Sequence, residues 1–433
     1  MRMSSDISLD PSRLEEGCGA QSWAAERARR LSLQMLHRTL QRTTERLASE
    51  LGRPTSVAPD WSATEWAVAR AVVAIHGVSA LLADALRWQG PAGWAQFLAE
   101  QKAHTARRFL RIQQLLQLLD NRAHDAGIAL VPLKGAALHA SGIYTAGERP
   151  MADVDLLVRK ADSQRARQTL EGLGFRETYR TLKHLVFEQP GSQVPAPLGE
   201  HASNGIRIEL HCEIREWLPL HAVDVSELVF PRRPRPGLNT YPSKAALLIH
   251  LLLHAAGAMS FRELRLLQLH DVARLSRCMV DEDWEEVLHA TARTSDGSLW
   301  WAFPPLALAA RYYACVPDRV LAHARSCCHW PLQRVYRRRT LSEASLSHLW
   351  VSALPGITWS RSLRETLAYV ATRVAPSAET LHQRKAFATL QPRVSGGSWA
   401  QLSQGRRVLR WMMARQPRHE TLQPVRAALR DAH

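Results

Sequence analysis

The chain has 433 residues, of which 46% are hydrophobic and 22% charged, with a formal net charge of +16. Such proportions are ordinary for globular protein with a packed core, and the length leaves room for two or three domains of roughly 100–200 residues each. The cysteines Cys18, Cys212, Cys278, Cys315, Cys327 and Cys328 are scattered with no Cys-x-x-Cys spacing, which excludes a thiolate zinc framework and points to a reduced, cytoplasmic chain.

The N-terminal run Met1-Arg-Met-Ser-Ser-Asp-Ile-Ser-Leu-Asp-Pro11 is polar and lacks the apolar stretch of a signal peptide. Residues from about Ala24 to Ala126 read as helical throughout, with apolar residues at three and four spacing over Trp66–Ile75 and Phe109–Leu119. The stretch Gly52–Asp60 interrupts them as a loop leading to a helix cap, and Gly127 stands where a helix C-terminal glycine is expected. Next come a strand over Ile128–Leu133, a turn at Lys134-Gly135 and a helix over Ala136–Tyr144. A second strand over Asp153–Val158 and a helix over Asp162–Gly172 follow. Strands over His184–Glu188 and Ile206–Ile214 flank a Pro/Gly-rich loop, and Pro231, Pro234 and Pro236 mark a boundary. Helices return over Ala245–Ala256, Phe261–Arg277 and Trp284–Arg293 and continue to the end, with a lesser break at Gly396-Gly397.

Two apolar stretches, Ala67–Trp88 and Ala245–Met259, are interrupted by Arg70, His76 and Asp84 and by His250 and His254. Neither matches the ~20 mostly apolar residues of a membrane span. From Pro331 to His433 the sequence has 17 Lys or Arg against 5 Asp or Glu, an excess of 12. Such a region can attract nucleic acid or polyphosphate, although a solvated arginine-rich helical surface explains it more simply.

The residues that carry chemistry lie in the α/β segment. Asp153 and Asp155 alternate on one face of a strand, where two like charges call for a compensating cation. Mg²⁺ takes oxygen ligands and is held by one or two carboxylates together with substrate phosphates. In Ile206-Arg-Ile-Glu-Leu-His211 the isoleucines and Leu210 share one face, while Arg207, Glu209 and His211 share the other. Glu209 can therefore project to the same edge as the aspartates and complete a two-metal clamp. The Lys134-Gly135 turn opens a helix whose free N–H groups favour an anion, with Lys134 as a point charge and Arg149 as a planar fork for phosphate. For Lys134 the alternative is a structural ion pair, and for Arg149 a bridge to Asp153. His250 and His254, at i and i+4, suggest a zinc pair. Without a third ligand at suitable spacing they read better as packing or pocket residues.

Together these motifs resemble the nucleotidyltransferase superfamily of the DNA-polymerase-β type. More narrowly, the chain resembles a bacterial family of uncharacterised nucleotidyltransferases. The shared hallmarks are Lys134-Gly135, Arg149-Pro-Met-Ala-Asp-Val-Asp-Leu-Leu-Val158 and Ile208-Glu-Leu-His211, with Leu252-Leu-His254, Leu269–Leu275 and Asp283-Trp284 behind them. The likeness covers about residues 105–330. Two features depart from the wider superfamily: Lys-Gly stands where Gly-Ser or Gly-Gly is usual, and the interval from Gly135 to Asp153 is longer. The resemblance implies an α+β fold, with a small mixed-sheet nucleotidyltransferase core flanked by N-terminal and C-terminal helical regions.

The expected division is an N-terminal helical region (1–104), the α/β core (105–235), a helical domain packed on it (243–330) and a basic helical region (331–433). The expected activity is Mg²⁺-dependent transfer of a nucleoside monophosphate from an NTP, ATP first among them, to an acceptor such as a peptide or small molecule. Asp153, Asp155 and Glu209 would hold two ions; Lys134, Gly135 and Arg149 would bind nucleotide. His211, His250, His254 and Asp271 would line the acceptor pocket. The resemblance also suggests a setting in natural-product biosynthesis. The rivals are γ-phosphoryl transfer at the same metal site and a non-catalytic docking module of a biosynthetic or nucleic-acid assembly.

Overall fold

A computed structural model describes residues 33–181, 183–190, 198–290, 298–378, 380–381, 402–413 and 416–431. The polar N-terminus, Gly396-Gly397 and the end of the helix expected over Trp284–Arg293 lie outside the described residues.

The N-terminal segment forms four helices: α1 (Leu33–Gly52), α2 (Ala63–His76), α3 (Ser79–Ala85) and α4 (Ala92–Asp125). The loop ends at Ser62, whose hydroxyl accepts from the Glu65 N–H while the Glu65 carboxylate accepts from the Ser62 backbone. The apolar stretch expected to run on to Trp88 is broken at Gly77, where φ is +67° and α2 and α3 meet at 114°. At the end of α4, Gly127 donates to His124 and Ile128 to Ala123, the double bond that a left-handed glycine permits.

The sheet follows with β1 (Ala129–Pro132), α5 (Lys134–Ala140), β2 (Asp153–Val158), α6 (Ser163–Gly172), β3 (Arg176–Arg180), β4 (His184–Glu188) and β5 (Arg207–His211). A small hairpin, β6 (Arg215–Trp217) and β7 (Ala222–Asp224), precedes α7 (Ser226–Val229) and the edge strand β8 (Gly237–Leu238). The six-stranded sheet has the order β3-β4-β5-β2-β1-β8. It is mixed, with β2/β5 and β1/β8 parallel and the other pairs antiparallel. The fold class is thus α+β, as expected. The strand expected over Ile206–Ile214 stops at His211, and β3, β6, β7 and β8 were not expected at all.

Alternation gives this sheet two different faces. Val154, Leu156, Val158, Ile208, Leu210 and Phe187 form one face and bury against Ile112, Leu115 and Leu119 of α4 and Leu170 of α6. The opposite face presents Asp153, Asp155, Glu209, His211 and His184. There Val131 and Leu157 belong to a second, larger core built by the helices.

That larger core unites α1–α3 with α8 (Lys244–Phe261), α9 (Leu266–Arg277), α10 (Asp281–His289), α11 (Phe303–Tyr313), α12 (Asp318–Cys327), α13 (Trp330–Tyr336) and α14 (Leu341–Ala344). Helices α15 (Leu363–Val374), α16 (Gln404–Met413) and α17 (His419–Arg430) complete the described chain. Val425, Ala428 and Leu429 of α17 join the same core, so helices from both ends of the sequence are packed together. The division at 104/105 falls inside α4. Of the described helices, α8 is long and apolar enough to cross a membrane, and 78% of that stretch is buried inside the molecule. Its apolar residues run round the helix, with His250 and His254 among them, because neighbours surround it.

Candidate active site

Strand pairing assembles the acidic face. Asp155 and Glu209 are register partners on the parallel strands β2 and β5, about 4.8 Å apart at the backbone. Asp153 lies two residues before Asp155 on the same face, opposite Arg207. On the far side of β5, His184 of β4 is the cross-strand partner of His211. The three carboxylates singled out by sequence are therefore brought together, and a histidine that sequence reasoning passed over joins them.

Asp155 is buried, and two nitrogens meet one of its oxygens. Lys134 Nζ donates to its Oδ1 at 2.7 Å, and His211 Nε2 lies 3.0 Å from the same oxygen. Burial raises the cost of its charge, but Lys134 and His211 outweigh that and hold its pKa well below the carboxylate range. Asp153 is half-buried and makes no hydrogen bond or ion pair among the described residues; burial and the Asp155 charge raise its pKa. Glu209 has only long contacts, 3.5 Å to His184 Nε2 and 3.9 Å to His211 Nε2. Burial, with Asp153 and Asp155 behind it, pushes its carboxyl up to about 8.

Lys134 has a positive φ of +48° in a non-glycine residue, a conformation that needs support from its surroundings. The Tyr241 hydroxyl, beside the Lys134 backbone, lies 2.7 Å from His250 Nδ1. Burial opposes the Lys134 charge, yet Asp155, Asp153 and Glu209 raise its pKa above the usual lysine value. The ammonium therefore makes an ion pair with Asp155, one of the two alternatives open to it from sequence.

Arg149 does not bridge to Asp153. Its Nε and Nη2 donate to the two oxygens of Asp271 at 2.8 and 2.7 Å, and Tyr144 Oη adds a third bond at 2.9 Å. Gly135 makes this possible, because a Cβ there would stand 2.1 Å from Arg149 Nη1. Asp271, expected in the acceptor pocket, is instead buried as the counter-ion that ties the entry to β2 onto α9.

Arg108 of α4 is another residue that sequence reasoning did not single out. Its buried guanidinium donates to the carbonyls of Met151, Ala152, Asn204 and Gly205, pinning the loops that lead into β2 and β5. Beside the acidic face, Lys134, Lys183, His211, His250 and His254 line a cavity of about 30 Å³. Nucleotide-sized sites are ~300 Å³ or more, so this one has room for a single functional group. Burial lowers the pKa of His250 to about 3 and that of His254 well below the usual value, leaving both neutral. A larger cavity of about 280 Å³, under Phe230, Ile249 and Glu286, contains none of the expected site residues.

The donor set fits divalent cations. Asp153 is unpartnered among the described residues, Glu209 is only loosely held, and burial with mutual repulsion raises the pKa of both. An Asp-x-Asp strand with a third carboxylate on its parallel neighbour, in a mixed sheet flanked by helices, defines a nucleotidyltransferase core. Residues 62–303 match the model of the family described as uncharacterised nucleotidyltransferase, and the chain belongs to that family. No curated protein and no solved structure matches it. Nucleotidyltransferases in general act on an NTP and use divalent metal ions.

Proposed function

We propose that this protein is an enzyme that transfers a nucleoside monophosphate from an NTP, ATP first among them, to an acceptor and releases pyrophosphate. One observation carries the reading: Asp155 and Glu209 are register partners on parallel strands, with Asp153 unpartnered on the same face. Asp153, Asp155 and Glu209 would hold two Mg²⁺ ions, which when bound supply charge stabilisation at the phosphoryl oxygens.

The chain's own residues do the rest. Lys134 holds Asp155 ionised and keeps a positive charge between the carboxylates and the small cavity. Arg149, locked on Asp271, positions the entry to β2 instead of meeting phosphate. Glu209 would bind the ion nearer the acceptor and help deprotonate the acceptor nucleophile. The acceptor group enters the cavity beside His211, His250 and His254, between the sheet and α8.

The test supplies NTPs labelled at the α- or γ-phosphate, with Mg²⁺ and candidate peptide and small-molecule acceptors. Label from the α-position on the acceptor, with pyrophosphate released, is the expected result, and Asp155→Asn should abolish both while the chain still folds. Transfer of the γ-label would make the protein a kinase. Turnover of neither label would leave a docking module.

A further inference from the structure

We propose that His184, Glu209 and His211 form a binding position for one divalent transition-metal ion of the zinc, cobalt or manganese kind. It shares Glu209 with the all-oxygen position of the carboxylates and differs from it in chemistry. The proposal does not depend on the reaction proposed above, because loading of the ion can be read without turnover.

The sheet register builds the position. Glu209 and His211 are i and i+2 on β5, and His184 is the direct cross-strand neighbour of His211. One donor atom from each residue lies within 4.8 Å of the other two. His184 Nε2 and His211 Nε2 stand 3.5 and 3.9 Å from the same Glu209 oxygen. Ligands ~2.0–2.2 Å from a tetrahedral ion are about 3.3–3.6 Å apart, so the two Glu209 contacts are already near that spacing and side-chain rotation closes the set.

The chemistry selects the class of ion. Mg²⁺ prefers oxygen, whereas two imidazoles with one carboxylate suit zinc and its neighbours. Three protein donors leave a fourth position open, as metals that meet substrate require. The protein's own groups leave His184 to this task. Its Nδ1 is buried without a hydrogen-bond partner, and its Nε2 has only the long Glu209 contact. His211 Nε2 now shares a hydrogen bond with Asp155 Oδ1; loading replaces that bond with the metal bond and leaves the ring N–H on Nδ1.

The experiment titrates the untagged, chelator-treated full chain with Co²⁺ and follows its visible absorption. One Co²⁺ per chain is expected, displaced by Zn²⁺ but not by a large excess of Mg²⁺. His184→Ala and His184→Gln, checked for unaltered circular dichroism, should each weaken binding by about 100-fold or more, as loss of a direct ligand exceeds the effect of an outer-shell partner. Asp153→Asn should leave Co²⁺ affinity within about threefold, since Asp153 is not a donor. Absence of binding, equal binding in the His184 variants, or loss only in Asp153→Asn would overturn the assignment. Co²⁺ binding with no pyrophosphate release would sink the nucleotidyl-transfer reading and leave the metal position standing.

Discussion

Replacing Arg108 by methionine tests how the carboxylates are held in place. The guanidinium is 3% exposed and donates to four carbonyls, at 2.9 and 3.0 Å in the approach to β2 and 2.5 and 3.1 Å in the approach to β5. It also pairs with Glu200 at 3.1 Å. Hydrogen bonds to a charged group contribute ~1.5–3 kcal/mol each, so a naive sum reaches ~6–12 kcal/mol. That sum overshoots, because loops freed of the arginine can turn carbonyls toward water. The closer precedent is the removal of one partner from a buried ion pair, which costs about 3–5 kcal/mol. Arg108→Met should therefore lower the free energy of unfolding by about 3–5 kcal/mol in a urea titration. Arg108→Lys, with three donors and no fork, should fall between the two. The same variant should lose most of its turnover, since Asp153 and Glu209 hang on the loops that are released. A methionine variant within about 1 kcal/mol of the parent and fully active would refute this account of the site's scaffold.

Arg149→Met or Asp271→Leu alone should each cost about 3–5 kcal/mol, and the double variant should cost less than the sum because no unpaired buried charge remains. A double-mutant cycle by urea denaturation checks this, and simple additivity would count against it. Gly135→Ala drives a methyl against an arginine pinned by Asp271 and should cost about 1–3 kcal/mol, a penalty that shrinks in an Arg149→Met background. Equal penalties in both backgrounds would show that the clash is not with Arg149. His76 and His270 are buried and neutral, with burial lowering both pKa values to about 3. Their folded values lie below the unfolded one, so the stability they contribute is complete above pH ~6.5 and is lost as pH falls toward 3, by at most about 1.4 kcal/mol per pH unit for each. Urea midpoints should drop between pH 7 and 5, and the drop should lessen in His76→Gln; a flat profile would contradict the burial argument.

The parts of the site legible in the sequence are those that alternation alone decides. Asp153 and Asp155 had to share a face, as did Glu209 and His211, and the apolar residues between them had to point the other way. What escaped notice depends on pairing across the chain. His184 meets His211 only through the β4–β5 register, across a long loop that says nothing about partners. Arg108 reads as one more arginine on an amphipathic helix, because the carbonyls it serves lie 43 to 97 residues further on. Arg149 and Asp271 are 122 residues apart, so nothing local in the sequence marks them as a pair. Strand β3, Arg-Glu-Thr-Tyr-Arg, is polar and alternates between exposed and half-buried, so it lacks the apolar pattern that marked its neighbours.

The strained backbone at Lys134 ties these observations together. A positive φ in a residue other than glycine costs of order 1–3 kcal/mol, and persists only where the surroundings over-determine it. Here the surroundings are specific: the Leu133 N–H just after β1 is bonded to the Asp155 carbonyl, and Lys134 Nζ is bonded to the Asp155 carboxylate. The result is an ammonium bonded to Asp155 at 2.7 Å, while the Asp153 side chain has no hydrogen bond or ion pair among the described residues. Burial and mutual repulsion raise the pKa of Asp153 and Glu209, so the negative charge that the protein itself stabilises sits on Asp155.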